Sequence, residues 1–165
     1  MANNSRLSLA MTAARYLTEA RDFIKDSAHW VQNVLYTGGS DPVNSFADVE
    51  RVCAIGGVLK AANLGRDAHD NIAPDTHPEA FEALQVLADT IQGSQEECRR
   101  KKECRRKRSF RWWARDIHEF NDSHKTSHAE VISAFDLAIE SQCAVVRDLA
   151  AQTEMSLDGK KDHAL

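Results

Sequence analysis

Apolar residues in the first part of the chain recur at steps of three and four, which is the period of an α-helix with one buried face. The positions that follow this pattern are Leu7, Ala10, Met11, Ala14, Leu17, Phe23, Ile24, Val31 and Leu35. They predict a first helix of ~30 residues, with its end marked by the Gly38-Gly39 pair. A second helix is predicted from about Phe46 to Leu64, with Ser45 as its N-cap and Gly65 at its end.

Three more helices are predicted in the second half of the chain. The third begins near Pro78, where Asp75 or Thr76 can cap it, and the fifth begins at Ser127 and Glu130, which have the spacing of a capping box. Their apolar stripes are, in chain order, Phe81, Leu84, Leu87, Ala88 and Ile91, then Phe110, Trp113, Ala114 and Ile117, then Ile132, Phe135, Ile139, Cys143, Val146 and Leu149. No segment alternates like a β-strand. The pattern predicts an all-α, bundle-like fold of about five helices.

Length and composition agree with a single domain. The chain has 165 residues, 42% of them hydrophobic, which is enough to bury a core. Three Pro and seven Gly are too few for a sandwich of many short strands. We expect residues 1–155 to form one helical domain, with 97–109 as a basic insertion or helix extension between the third and fourth helices. Residues 156–165 are polar and are predicted to be a disordered tail.

The compartment follows from what the sequence lacks. No apolar run approaches the ~20 residues that cross a bilayer, and the N-terminus lacks the apolar core of a secretory signal. Four cysteines at irregular spacing are typical of reduced intracellular thiols. These features predict a cytoplasmic protein. That the cell is a bacterial host, with association with a virion left open, is what the family resemblance described below implies. We expect no contact with a membrane, and the oligomeric state stays undetermined.

The net charge of −4 conceals a sharp division along the chain. Residues 99–115 contain ten Lys or Arg and one Glu, a balance of +9, so the rest of the chain carries −13. Within this segment ECRRKK at 97–102 is followed by ECRRKR at 103–108. Equivalent positions of the two hexamers lie about 120° apart on an α-helix, so the repeat marks no single face. Like-charged pairs such as Lys101–Arg105 also offset favourable ones such as Glu97–Lys101.

Two tryptophans adjoin the basic residues. Trp113 shares a helix face with Phe110 and Ile117 and is predicted to lie in the core, whereas Trp112 falls on the polar side with Arg115. Trp112 either covers a seam with another helix or is exposed as an anchor, since Trp and Arg are enriched at binding hot spots. The candidate partner-binding residues are Arg99, Arg100, Lys101, Lys102, Arg105, Arg106, Lys107, Arg108, Arg111, Trp112 and Arg115.

The sequence offers little for metal or cofactor chemistry. Cys98, Cys104, His118 and His124 superficially follow a zinc pattern, but the Cys pair is too widely spaced and lies among cations. The three histidines His118, His124 and His128 are predicted to face solvent. The Gly56-Gly57 pair lacks the phosphate-loop pattern and lies inside a predicted helix. We therefore expect no metal site, no cofactor and no catalytic residue.

Two segments resemble a known family. RVCAIGGVLKAA at 51–62 and FNDSHKTSHAEVISAFDLAIE at 120–140 are similar to segments of an uncharacterised family of small proteins from actinobacteria and their phages. The residues that match are Val52, Cys53, Gly56, Asn121, Asp122, Thr126, Glu130 and Val131. Phe120 stands where the family has Trp, and Gly57 stands where Ala is usual. The resemblance implies an all-helical fold and a phage or accessory-gene context, without an activity.

The matching residues leave two interpretations open. Cys53, predicted in mid-helix on an apolar face, reads as a small buried hydrophobe. Asn121 and Asp122 read as the turn between the fourth and fifth helices, where they can satisfy backbone groups. If Cys53, Asn121 and Asp122 converge in space, they could instead line a small pocket of an enzyme.

Three functions therefore compete. The leading expectation is a non-enzymatic interaction protein that binds a host or virion macromolecule through residues 99–115. The expected macromolecule is another protein. The alternative is nucleic-acid binding by the same Lys and Arg cluster, whose charge is typical of such binders. A small enzyme with a pocket at Cys53, Asn121 and Asp122 is the third. If residues 99–115 are instead solvated or dock on the protein's own acidic regions, they bind neither a protein partner nor nucleic acid.

Overall fold

The structure, a computed structural model, describes residues 2–38, 49–94 and 110–161. The helices are α1 (Ala2–Ile24), α2 (Ala54–Ala61), α3 (Arg66–Asn71), α4 (Pro78–Ser94), α5 (Phe110–Asp122) and α6 (His128–Lys161). A 3₁₀ turn (Ser27–His29) and two short strands, β1 (Tyr36–Thr37) and β2 (Arg51–Val52), lie between α1 and α2. The predicted all-α, bundle-like fold is confirmed.

The two long helices α1 and α6 form the centre of the bundle. The Gln142 side chain of α6 donates to the carbonyl of Ala10, and His128 at the start of α6 contacts the carbonyl of Ile24 at the end of α1. The two helices are therefore antiparallel. Helix α4 packs against both of them, α2 packs against α1, and α5 packs on α4 and α2. The shared core contains Leu17, Ile55, Leu84, Ile117 and Phe135. Burial of these large apolar side chains is the main driving force for this arrangement.

The predicted first helix is too long. α1 ends at Ile24, and the Asp26 carboxylate then accepts from the N–H of Ala28 to cap the 3₁₀ turn. The apolar residues Val31 and Leu35 pair with the segment that precedes α2, through Val31 N–H to the Val52 carbonyl (3.1 Å) and Cys53 N–H to the Leu35 carbonyl (3.0 Å). Long-range pairing thus replaced the helical register that the sequence suggested.

The predicted second helix is also shorter than expected. Helix α2 begins at Ala54, and Arg51 and Val52, the two residues before its N-cap Cys53, form the strand β2 antiparallel to β1. Cys53 is the N-cap of α2, so its predicted place in mid-helix is wrong. The predicted cap Ser45 lies outside the described residues. The short helix α3, which begins at Arg66, was missed, and the expectation of no strand was wrong.

The later helices agree better with their sequence signals. Helix α4 starts at Pro78 as predicted, although the Thr76 hydroxyl bonds to Ala73 and Asn71 in the preceding turn instead of capping the helix. The capping box of α6 is confirmed: Glu130 accepts from the backbone N–H of Ser127 (2.7 Å), and the Glu130 N–H donates to the Ser127 hydroxyl (3.3 Å). The Ser127 N–H, together with the Ser127 hydroxyl that donates to the same carboxylate (2.8 Å), lowers the pKa of the Glu130 carboxyl.

Two details of α6 differ from the prediction or lie beyond it. Cys143, expected on the buried face, is exposed, whereas Phe135 and Leu149 are buried as predicted. The helix includes the backbone as far as Lys161, and the disorder predicted for 156–165 stays a prediction. Across the described ranges, none of the helices combines the length and the apolar character needed to cross a membrane.

Candidate functional site

The basic segment joins α4 to α5, and most of it lies outside the described residues. Arg99, Arg100, Lys101, Lys102, Arg105, Arg106, Lys107 and Arg108 all fall in the undescribed range 95–109. The side chains of Arg111 and Trp112 are also outside the described part. Of the candidate contact residues, the structure therefore gives the side-chain position of Arg115 only. Arg115 is exposed and pairs with Glu119 one turn further along α5 (3.4 Å).

The helix that follows the basic segment is firmly held in the core. Trp113 is buried, as predicted, and its ring meets that of Phe81 edge to face with the centroids 4.7 Å apart. Ala114 and Ile117 lie on the same buried side of α5. On α4, the buried Gln92 donates to the Asp116 carboxylate. Both ends of the undescribed connection thus leave from helices that pack against each other.

Asn121 and Asp122 form the second candidate site, which we call the Asn121 corner. The amide oxygen Oδ1 of Asn121 accepts from the Trp30 indole Nε1 (2.9 Å) and from the N–H of Ala54 (3.2 Å). Its Nδ2 donates to the carbonyl of Val31 (3.2 Å) and to Oδ1 of Asp122 (2.7 Å). All four hydrogen-bonding positions of this fully buried amide are therefore used inside the protein.

The neighbouring contacts extend the corner to the loop after the 3₁₀ turn. The Asp122 carboxylate also accepts from the N–H of Asn33 (2.8 Å), a residue with a positive φ of 64°. Asn tolerates this left-handed conformation better than most residues. The Gln32 side chain donates to the carbonyls of Asn121 (2.6 Å) and Ser123 (3.3 Å), which the end of α5 leaves without helical partners. The corner therefore joins the end of α5, the loop 30–33 and the start of α2.

Cys53 lies beside this corner, as the pocket hypothesis required. It precedes Ala54, whose N–H binds Asn121, and its Sγ accepts from the N–H of Gly56 at 3.5 Å. Burial raises the pKa of the Cys53 thiol to about 11, and the nearby Asp122 carboxylate acts in the same direction against the backbone hydrogen bonds. A thiol is a strong nucleophile only as the thiolate. The three residues meet, and their contacts are those of a helix cap and a structural corner.

The state of the Cys53 thiol leads to a labelling prediction. At about pH 7 iodoacetamide should modify the exposed Cys143 and leave Cys53 unmodified, because a buried neutral thiol reacts slowly. Peptide mass spectrometry of native and urea-unfolded protein measures both sites in one sample. In the unfolded protein the two cysteines should react alike. Labelling of native Cys53 at a rate near that of Cys143 would contradict the structural assignment.

The expectation that the histidines face solvent is correct for His124 alone. His124 is exposed, whereas His118 and His128 are half-buried. His118 packs edge to face on His69 of α3 with the ring centroids 5.9 Å apart. Burial lowers the pKa of His118, nearby Asp122 opposes this shift, and His69 adds to it. His118 is therefore harder to protonate in the folded than in the unfolded protein.

This lowered pKa predicts acid destabilisation. Because the unfolded state binds a proton at His118 before the folded state does, stability is present above the unfolded pKa and falls as the pH drops below it. We expect the free energy of unfolding to decrease between about pH 7 and about pH 5, by at most about 1.4 kcal/mol per pH unit from this one group. His118→Gln should flatten that slope, and His124→Gln, at the exposed histidine, should leave it unchanged. Urea titrations across this pH range measure the slope of the free energy of unfolding against pH. Equal slopes in the wild type and both variants would refute its assignment to His118.

Three residues of the corner were missed by sequence reasoning. Trp30 and Gln32 bind Asn121 directly, and His128 contacts both the carbonyl of Ile24 (2.6 Å) and the Trp30 ring (centroids 5.2 Å apart). One sequence signal could have indicated a separate role for Trp30, because this residue lies off the apolar stripe of the predicted first helix. In the part of the chain that the structure describes, no group of three His, Cys, Asp or Glu side chains could hold a metal ion.

Comparison with known proteins gives one match. The model of a family of unknown function, DUF6197, matches residues 9–141 of the 165. The chain belongs to this family. No curated protein and no solved structure shows a significant match. The predicted membership of an uncharacterised family is thus confirmed, and the matched range includes both the basic segment and the Asn121 corner.

The residues on which the resemblance was based have structural roles in this fold. Val52 is buried and pairs with Tyr36, and Cys53 caps α2. Gly56 approaches the Leu35 carbonyl so closely that a Cβ would lie 2.5 Å from it. Glu130 completes the capping box of α6, and Val131 is buried. Asn121 and Asp122 form the corner described above, and the Thr126 N–H donates to the Ser123 carbonyl (3.0 Å).

Proposed function

We propose that this protein is a non-enzymatic interaction protein that binds a macromolecule of a host cell or a virion through residues 99–115. A protein with an acidic surface is the proposed partner. A phage or accessory-gene origin, as the sequence resemblance implies, belongs to the same proposal. The segment's +9 charge, against −13 in the rest of the chain, is the observation that carries it.

The position of the segment supports this proposal. Residues 95–109 connect α4 and α5, which pack against each other through Gln92 and Asp116 and through Phe81 and Trp113. Connections between packed helices usually need about 2–8 residues. A connection of 15 residues, counted from 95 to 109, exceeds what joining the helices requires. Its charge, rather than an apolar surface, would then select the partner and speed the encounter.

A charge-reversal experiment tests the proposal. Arg105, Arg106 and Arg108 are changed together to Glu, and partners are recovered from host lysate and quantified by mass spectrometry. The matched control changes Arg6, Lys25 and Arg147, all exposed and outside the segment, to Glu, which alters the net charge by the same amount. Partners of the wild type should be retained by the control and lost from the segment variant. Equal recovery by the segment variant would refute the proposal.

Trp112 provides a second arm of the same assay. An exposed indole that anchors a partner contributes at least about 2 kcal/mol to binding, or roughly 30-fold in affinity. Trp112→Ala should therefore weaken recovery of the partner without lowering the melting temperature. Trp113→Ala, which removes a buried ring, should instead lower the melting temperature. If Trp112→Ala unfolds the protein as readily as Trp113→Ala does, Trp112 is a core residue and no anchor.

Nucleic acid is the second candidate, favoured by the ten Lys and Arg within residues 99–115. Binding of this kind releases counterions, so its affinity on double-stranded DNA should fall with log salt at a slope of about −0.9 for each phosphate contacted. Treatment of the lysate with nuclease before recovery separates the two candidates. Loss of the captured material after nuclease, together with a steep salt slope for purified DNA or RNA, would replace the protein partner with nucleic acid. A flat salt profile would remove this candidate.

A further inference from the structure

An open cleft of about 480 Å³ lies on the side of the protein where α1 ends, β2 begins and α2 ends. Its lining comes from four elements of the fold and comprises Phe23, Ala28, His29, Val49, Glu50, Arg51 and Lys60. Clefts that bind small molecules commonly fall between about 300 and 1,000 Å³. The size and the mixture of apolar and charged groups are therefore suited to a small ligand.

One side of the cleft, formed by Phe23, His29 and Lys60, is held in place by contacts among these residues. The Phe23 ring stacks on the His29 ring with the centroids 4.7 Å apart and the planes 11° from parallel. The Lys60 ammonium lies 4.6 Å from the centre of the same Phe23 ring and donates to the carbonyl of Val49 at 3.2 Å. Phe23, His29 and Lys60 are thus arranged before any ligand arrives, which lowers the entropy lost on binding.

Besides Lys60, the cleft is lined by two adjacent charged residues of opposite sign, Glu50 and Arg51. The Arg51 guanidinium is oriented by a hydrogen bond from Nη2 to the carbonyl of Trp30 (3.0 Å). Within the described residues, neither Arg51 nor Glu50 forms an ion pair. A guanidinium matches a carboxylate through two parallel hydrogen bonds, and a carboxylate accepts from an ammonium group. The lining of the cleft therefore includes one group suited to each end of a zwitterion.

We propose that this cleft binds a small zwitterion, namely a free α-amino acid with an apolar side chain. Arg51 binds its carboxylate, Glu50 binds its ammonium group, and the side chain contacts Phe23 and Val49. A simple anion would leave Glu50 opposing it, and a simple amine would be repelled by Arg51 and Lys60. The proposal is independent of the function proposed for the basic segment, which lies elsewhere in the chain.

The test uses the full chain and three matched probes. Leucine carries both charges, 4-methylpentanoate lacks the ammonium group, and 3-methylbutylamine lacks the carboxylate, while all three share the same apolar body. Each is titrated to millimolar concentration while amide NMR follows the signals of Val49, Glu50 and Arg51. Leucine should give saturable shifts at these residues with an affinity about tenfold or more above that of either analogue. No saturable shift with leucine, or an equal affinity for either analogue, overturns the proposal.

Two variants assign the charges. Glu50→Gln should remove the preference for leucine over 4-methylpentanoate, and Arg51→Gln should remove the preference for leucine over 3-methylbutylamine. Arg147→Gln, at an exposed arginine of α6, is the control and should bind leucine like the wild type. Because Arg51 also contacts Trp30, the melting temperature of each variant is measured alongside. Leucine binding that survives both cleft substitutions with its preferences intact places the ligand elsewhere and overturns the assignment.

Discussion

Replacement of Asn121 by Ala is expected to lower the free energy of unfolding by about 3–5 kcal/mol. The substitution leaves the Trp30 indole N–H and the backbone N–H of Ala54 without their acceptor. It also leaves the Val31 carbonyl without its donor. Each such group costs about 1–3 kcal/mol when it is buried and unpaired. The cavity left by the missing amide adds to the loss.

Urea denaturation of the variant measures this effect, with Asn4→Ala as a control at an exposed asparagine of α1. The control should change the free energy of unfolding by less than about 0.5 kcal/mol. Thermal melting followed by Trp fluorescence adds a local readout, because Trp30 loses its partner in the variant. A loss at Asn121 of less than about 1 kcal/mol would mean that water replaces the amide and that the corner is not a structural element.

The Asn121 corner shows which part of this molecule sequence reasoning reaches. The pair Asn121-Asp122 was assigned to the turn after α5, which follows from the tendency of Asn and Asp to bind nearby backbone. The partner Trp30 lies 91 residues earlier in the chain, and no periodic pattern connects it to Asn121. Asn121 and Asp122 are the last two residues of α5, so the predicted turn was placed two residues too early. The possible meeting with Cys53 was foreseen. The identity of the groups it binds depended on tertiary structure.

The ends of the helices also differ in how well the sequence predicted them. The start of α6 was predicted because Ser127 and Glu130 are close in sequence and satisfy each other. The end of α1 was missed because Val31 and Leu35 happen to continue its apolar register. Their pairing with Val52 and Cys53 is long-range, and strands of two residues are too short to show alternation. Local signals were therefore reliable where the stabilising contacts are local.

Gly56→Ala is expected to destabilise the protein by about 2–3 kcal/mol, although Ala is the better helix former. A Cβ at this position would lie 2.5 Å from the carbonyl oxygen of Leu35 and 3.0 Å from the Cβ of Val52. The first neighbour is backbone, and it also accepts from the N–H of Cys53 (3.0 Å). Relief of the clash therefore requires the chain at Leu35 to move and weakens the contact that positions the start of α2.

Two other glycines of the chain serve as controls for this prediction, because a Cβ added at each of them has different neighbours. A Cβ at Gly57, the next residue, would lie 3.4 Å from the Cβ of Ala20 and 3.7 Å from Ile24, so Gly57→Ala should change stability by less than about 1 kcal/mol. At Gly93 a Cβ would meet nothing within 4 Å, and Gly93→Ala should stabilise the protein by about 0.5–1 kcal/mol. Urea denaturation measures the free energy of unfolding of the three variants and ranks them. If Gly56→Ala costs no more than Gly57→Ala, the close approach of Leu35 is not the reason for a glycine at position 56, and the contact between the loop and α2 is looser than the distances imply.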